Sequence, residues 1–109
     1  LKENGYLTKY AKTVQGSSGI SYDVDLWAVH GEKGDSLLVE VYLLEDKINV
    51  NEVLRLQAIG YDLEAKKVVL VTHAKFDHEA ERLANYYGMR RIVPEKTGEI
   101  TREVMVELI

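Results

Sequence analysis

Two acidic residues occur in neighbouring apolar segments at a spacing that places their side chains face to face. Residues 22–42 contain an apolar strand with Asp25, a Gly-flanked turn at 30–36 and a second apolar strand with Glu40. If the turn is symmetric about residues 32–33, Asp25 and Glu40 are directly opposed, and opposed β-carbons in an antiparallel pair lie about 5 Å apart. Two carboxylates at that distance repel each other unless a cation lies between them. The pattern therefore predicts a site for a divalent metal ion such as Mg²⁺, Mn²⁺ or Ca²⁺.

The same hairpin is compatible with an ordinary solvated face. In its first strand Val24, Leu26 and Ala28 recur at every second position, so these three residues are expected on one face. An error of one residue in the register reverses the faces of a whole strand. The alternative to a metal site is a strand whose acids point apart into water, and the hairpin alone leaves both interpretations open.

Length and composition are those of one folded domain. The chain has 109 residues, of which 46% are hydrophobic and 29% charged. Because it contains no cysteine, a disulfide framework and thiolate metal sites are excluded. No apolar run long enough to span a membrane and no leader pattern occurs, which predicts a cytoplasmic protein without a membrane partner. The net charge of −4 argues against a protein that coats DNA, but not against a nuclease whose acids bind metal.

The other segments predict an α/β fold around the hairpin. In order, they are the last turn of a helix at 1–5, a strand at 6–14, the hairpin, a helix capped by Asn49 or Asn51 that ends near Leu63, a strand at 67–72, a helix from Asp77 to Gly88, a strand at 89–93 and a closing helix at 97–109. Helices between successive strands favour parallel pairing in the second half. We therefore expect a mixed sheet with helices on both faces, in a single domain over 1–109 that lacks most of its first helix.

Two weaker patterns each allow two interpretations. Gln57 and Tyr61 are four residues apart in the predicted helix and share a face, which indicates the edge of a pocket or simply a solvent-facing Gln beside a half-buried Tyr. The Gly/Ser loop at 15–19 is interpreted as a connector, with a phosphate-binding loop as the alternative.

Taken in order, several of these features resemble the PD-(D/E)XK nuclease superfamily. They are Gly19, Asp25 in an apolar strand, Glu40 in Leu-Leu-Val-Glu-Val-Tyr, Gln57-Ala-Ile-Gly-Tyr61, Val71-Thr72 and the Ala/Leu helix that follows. Over about residues 1–93 the chain looks most like the Mrr-type and RecB-type archaeal or bacterial domains. The resemblance implies a restriction-endonuclease-like αβββαβ-type sandwich.

The resemblance also implies a reaction and roles for individual residues. Asp25, Glu40 and the main-chain carbonyl of Val41 would hold Mg²⁺ or Mn²⁺ for the hydrolysis of DNA phosphodiester bonds. Gln57 and Tyr61 would position the DNA backbone or the attacking water. DNA is then the expected partner, and a homodimer the expected assembly.

The chain departs from the superfamily pattern at Tyr42. The motif is Glu-x-Lys, whereas this chain has Glu40-Val41-Tyr42. The lysine supplies positive charge near the attacked phosphate, and loss of such an element typically costs about 10² to 10³ in rate. Tyr42 donates a hydrogen bond but is neutral near pH 7, and it is counted with the candidate catalytic residues. Either a basic residue from elsewhere, such as Lys47 or Lys9, replaces the missing charge, or cleavage is lost and a binding or structural module remains, or the enzyme works weakly.

Overall fold

The elements follow the predicted order. The structure is a computed structural model that describes residues 6–30, 35–42 and 46–93, with side chains of 6–11 and 30 left out. Its elements are β1 (Tyr6–Gln15), β2 (Ser21–His30), β3 (Ser36–Tyr42), β4 (Lys47–Ile48), α1 (Val50–Asp62), β5 (Lys67–Thr72), β6 (Lys75–Phe76), α2 (His78–Tyr87) and β7 (Arg90–Ile92). The helices expected at 1–5 and 97–109 lie outside the described residues. Neither α1 nor α2 is long and apolar enough to span a membrane.

Five strands form one mixed sheet in the order β1-β2-β3-β5-β7. The first three are antiparallel neighbours, and β5 and β7 continue the sheet in parallel with β3. This confirms the predicted mixed sheet, in which the antiparallel hairpin is followed by parallel strands. The short strands β4 and β6, which the sequence did not predict, pair with each other in a separate parallel ladder.

The β2–β3 hairpin has the register that a turn symmetric about residues 32–33 requires. Leu26 pairs with Val39, and Val29 pairs with Ser36 at the other end of the ladder. The paired residues stop at Leu26 and Val39, one position before the two acids. The regular hairpin therefore ends where the candidate site begins.

The start of α1 and the end of α2 each carry a local signal. The Asn49 side chain accepts a hydrogen bond from the main-chain N–H of Glu52, so of the two predicted caps, Asn49 and Asn51, it is Asn49 that caps α1. Gly88 ends α2 with a φ of 71°, a left-handed conformation that favours glycine.

The two helices cover the same face of the sheet. They share a cluster with β5 whose buried members are Ile48, Val53, Leu56, Leu70, Ala80, Ala84 and Met89. Toward its C-terminal end, α1 packs Ile59 and Leu63 against Leu38 of β3 and Val24 of β2. Because Leu38, Glu40 and Tyr42 alternate along β3, all three lie on the side of the sheet that faces α1.

The opposite face of the sheet is also apolar. Its buried cluster consists of Leu26, Ala28, Leu37, Val39, Val69, Val71 and Ile92. Strands β3 and β5 thus carry buried side chains on both sides, as the continuous apolar run at 67–72 predicts. The prediction of helices on both faces stays a prediction, because the helices expected at 1–5 and 97–109 lie outside the described residues.

Strand β2 does not keep its alternation at Asp25. Val24 packs in the cluster under α1, whereas Leu26 and Ala28 pack on the opposite face. Since residues two apart in a regular strand share a face, the prediction that Val24 joins Leu26 and Ala28 is wrong. The regular alternation of faces along β2 is therefore interrupted at Asp25, which lies between Val24 and Leu26.

Close approach of α1 to β5 generates a stability prediction. A Cβ atom on Gly60 would lie 2.6 Å from Cγ2 of Val68, and a β-branched side chain in a strand has little freedom to move away. We expect Gly60→Ala to lower the free energy of unfolding by about 1–3 kcal/mol, despite the better helix propensity of alanine. Urea unfolding measures this.

The control is a double-mutant cycle. In a Val68→Ala background the clash is removed, so the same Gly60→Ala substitution is expected to be neutral or stabilising. An equal cost in both backgrounds would contradict the proposed contact.

Candidate metal and active site

Main-chain amides hold the two acids together where the β2–β3 ladder stops. The N–H of Val41 donates to Oδ2 of Asp25 at 2.7 Å, and the N–H of Asp25 donates to Oε1 of Glu40 at 3.3 Å. Each carboxylate thus binds the backbone of the strand that carries the other acid. The structure brings Asp25 and Glu40 together at the position that the hairpin register predicts.

The two acids differ in their surroundings. Asp25 is exposed, whereas the Glu40 residue is only 7% exposed under α1. Burial raises the pKa of Glu40 to about 7, and the negative charge of Asp25 adds to the rise. The Asp25 N–H and the positive charge of Arg55 act in the opposite direction. Close to pH 7 Glu40 is therefore protonated in about half of the molecules, and a divalent cation would displace that proton.

Tyr42, at the position of the motif lysine, is tied to two neighbouring elements. Its hydroxyl oxygen accepts a hydrogen bond from Nη1 of Arg55 on α1 at 3.2 Å. Its main-chain oxygen accepts one from the hydroxyl of the buried Thr72, at the end of β5, at 2.5 Å. The half-buried phenol is thereby placed between β3 and the N-terminal half of α1.

The basic residue at this site is not one that the sequence singled out. Arg55 contacts Tyr42 and its charge acts on Glu40, whereas Lys47 is exposed in β4, opposite Lys75 of β6. The side chain of Lys9 lies outside the described ones. The sequence does place Arg55 in the predicted helix, two residues before Gln57. The side of the sheet toward which the Arg55 side chain points depends on how that helix is rotated, which the sequence does not give.

Gln57 and Tyr61 line a separate cavity of about 160 Å³ between α1 and the end of α2. Its lining also includes Lys66 and Tyr87, but neither Asp25 nor Glu40. Tyr61 is 84% exposed at the rim. The structure thus keeps the helical pair together on one cavity, whose lining does not include the two acids.

Comparison with known proteins connects this geometry to a family. The model of the Mrr_cat family, described as restriction endonuclease, matches residues 1–93. The chain belongs to this restriction endonuclease family. No curated protein matches the chain at a significant level.

Two solved structures resemble the domain in fold. A protein of unknown function, AF1548, is 24% identical with a TM-score of 0.67, over 87% of this chain and 54% of that chain. EndoMS in its apo form is 15% identical with a TM-score of 0.51, over 84% of this chain and 39% of that chain. The restriction endonuclease domain thus spans about half the length of the first relative and less of the second. The likeness confirms the predicted α/β restriction-endonuclease-like sandwich.

The donor set of this restriction endonuclease domain fits a hard divalent cation. Two carboxylates lie together, and the burial of one beside the charge of the other raises its pKa, so a positive charge there would relieve both effects. Among the described residues no group of three or more His, Asp or Glu side chains is placed to hold a metal. Mg²⁺ is commonly bound through only one or two carboxylates together with waters and substrate phosphates.

The main-chain amides of the Gly/Ser loop in the restriction endonuclease domain bind another residue of the same chain. The N–H of Ser17 donates to the main-chain oxygen of Asp62, and the N–H and hydroxyl of Ser18 donate to the Asp62 carboxylate at 2.8 and 2.6 Å. The hydroxyl of Tyr22 donates to the same carboxylate, and together these donors lower the pKa of Asp62. These amides are therefore engaged by Asp62, which supports the connector interpretation over phosphate binding.

The raised pKa of Glu40 predicts a pH-dependent stability. The unfolded residue titrates near 4.5 and the folded one near 7, so the unfolded state loses its proton first as the pH rises. Stability from this group is fully present below about pH 4.5 and is lost by about pH 8. Glu40→Gln keeps an oxygen for the Asp25 amide and carries no charge. We expect it to match wild type near pH 4 and to exceed it by roughly 2–3 kcal/mol near pH 8 in urea unfolding with EDTA.

An exposed acid provides the matched control. Glu81 lies on α2 with an exposed side chain, and Glu81→Gln is expected to show the same small difference from wild type at both pH values. Parallel stability curves for Glu40→Gln and wild type across this range would contradict the burial argument.

Proposed function

We propose that this domain is a metal-dependent nuclease that hydrolyses phosphodiester bonds in DNA. Asp25, Glu40 and the main-chain carbonyl of Val41 are the proposed ligands of Mg²⁺ or Mn²⁺. The observation that carries the proposal is the reciprocal bonding that holds two carboxylates together at the end of the β2–β3 ladder. Membership of a restriction endonuclease family supports nuclease-type activity, and domains of this kind generally use divalent metals.

The proposed mechanism assigns distinct tasks to the protein's own groups. A divalent ion held by Asp25, Glu40 and the Val41 carbonyl would supply positive charge at the phosphate and would make water a stronger nucleophile at neutral pH. The Val41 amide fixes one oxygen of Asp25, and the Asp25 amide fixes one oxygen of Glu40, so the ligands are oriented before substrate arrives. Glu40 would lose its proton on binding a metal ion, so we expect metal affinity to increase as the pH rises through about 7.

The pair on α1 is proposed to contact the nucleic acid outside the metal site. Gln57 and Tyr61 line a cavity that excludes both acids, and Tyr61 is largely exposed. That placement supports a contact with the DNA backbone over a role in orienting the attacking water. Homodimerisation stays a prediction from the family resemblance, and sedimentation that shows only monomer at high concentration would contradict it.

A second candidate function is a module that binds metal or DNA without cleaving it. The observation in its favour is Tyr42, which is neutral near pH 7 where the superfamily motif has a charged lysine. The two functions share the metal site and differ in turnover, so one experiment separates them.

Metal binding and plasmid nicking test the proposal together. We expect calorimetry to show Mn²⁺ binding with proton release at pH 6.5, detected as a dependence of the heat on the buffer, and plasmid DNA to be nicked. Asp25→Asn keeps an oxygen for the Val41 amide but removes the charge, so it should weaken Mn²⁺ binding by roughly tenfold or more and abolish nicking.

The control is an acid on the same strand. Asp23 is exposed and its carboxylate accepts a hydrogen bond from Thr13 at 2.7 Å, so Asp23→Asn is expected to leave both readouts unchanged. Metal binding without nicking would favour the non-cleaving module. Absence of both in the wild-type protein would overturn the nuclease proposal.

A further inference from the structure

The residue at the position of the motif lysine contacts a positively charged side chain on another element. Tyr42 occupies that position in β3, and its side chain lies on the face that packs against α1. On α1, Arg55 directs its guanidinium to the Tyr42 hydroxyl at 3.2 Å. The hydroxyl of Tyr42 therefore links the motif position in β3 to the positive charge of Arg55 on α1.

The same guanidinium is close enough to act on the candidate metal ligand. In the described part of the chain, Arg55 is the cation whose charge influences Glu40. Lys47, the alternative from the sequence, is exposed in the separate β4–β6 ladder. Arg55 thus combines a fixed contact at the lysine position with an electrostatic effect on the site.

The helix holds Arg55 on a rigid base while leaving its head group exposed. Val53 and Leu56, on either side in sequence, are fully buried against β5 and α2, and Asn49 caps the start of the helix. The Arg55 side chain itself is exposed. A guanidinium has five N–H donors in a fork that matches phosphate oxygens, and it stays charged at any pH of interest. The bond to Tyr42 needs one of these donors.

We propose that Arg55, oriented by Tyr42, replaces the motif lysine as the cation that stabilises the phosphate during hydrolysis. The inference rests on the proposed nuclease function. In that reaction the oxygen of a water molecule bonds to phosphorus and releases a proton to solvent, while the bond to the departing sugar oxygen breaks and that oxygen takes up a proton from solvent. Arg55 transfers no proton; it donates hydrogen bonds to the non-bridging oxygens, where negative charge builds up. Tyr42 is then a positioning residue, and Arg55 a catalytic one.

The test compares variants at both ends of the Tyr42–Arg55 contact. Arg55→Ala is expected to lower kcat for nicking by about 10² to 10³, the usual cost of losing one electrostatic element at a transition state. Arg55→Lys should restore part of the rate. Tyr42→Phe loses only the hydroxyl and should lower kcat by roughly tenfold through looser orientation of the guanidinium. Arg82→Ala, which removes an exposed arginine of α2, serves as the control and should leave kcat unchanged.

A rescue separates a charge effect from a structural one. Tyr42→Lys in the Arg55→Ala background returns a cation to the strand position, so nicking should recover by at least tenfold. If Arg55 merely packs α1 against the sheet, this second substitution recovers nothing and the inference is overturned. Urea unfolding of every variant identifies those that lose activity by losing the fold.

DNA binding with Ca²⁺ provides a readout without turnover. Loss of a phosphate contact in Arg55→Ala should reduce the slope of log affinity against log salt by about one, with Mn²⁺ affinity kept within about threefold of wild type. Wild-type nicking with an unchanged rate and salt slope in Arg55→Ala would overturn the role of Arg55 alone. No metal binding and no nicking in the wild type would overturn the nuclease function and this inference together.

Discussion

The candidate site depends on a reciprocal pair of hydrogen bonds at the point where β2 and β3 stop pairing. The main-chain amide of Val41 binds the Asp25 carboxylate, and the amide of Asp25 binds Glu40. Backbone donors that the ladder no longer uses are thus satisfied by the two side chains. The same bonds keep the two carboxyl groups close together. The hydrogen bonds that replace strand pairing at the end of the hairpin therefore also bring together the two carboxyl groups that would bind a cation.

The raised pKa of Glu40 depends on how α1 packs over the sheet. The cluster around Leu56 and Leu70 fixes the helix above β3 and β5, and Glu40 is buried beneath it. Burial is the largest cause of the raised pKa of Glu40, ahead of the Asp25 charge. A change in the helix–sheet contact would therefore alter the affinity for protons and cations at the site, even without touching either acid.

The substitution at Tyr42 illustrates why electrostatic roles are defined by position in space. A cation stabilises a developing charge through its distance and orientation, whichever element carries it. Here the strand position holds a neutral phenol, and the adjacent charge comes from Arg55 of the facing helix. Arginine suits such a role because its planar fork stays charged and matches phosphate oxygens.

By itself, the sequence determined the order of the two helices and the five strands of the main sheet, where both helices end, and the opposition of Asp25 and Glu40. Alternating apolar residues, turn chemistry and caps such as Asn49 are local properties, so they can be interpreted without coordinates. The break in alternation at Asp25 escaped this reasoning, because regular periodicity continues through Val24 and Leu26 in the sequence.

Only the tertiary structure decided which polar groups meet across elements. In the structure Arg55 contacts Tyr42, and Gln57 lines a cavity whose lining does not include the acids. The amides of the Gly/Ser loop bind Asp62, which is 44 residues away from Ser18 in the sequence. Each of these contacts follows from how α1 is rotated and how it lies over the sheet. That orientation results from packing between side chains that are distant in sequence, which no local pattern encodes.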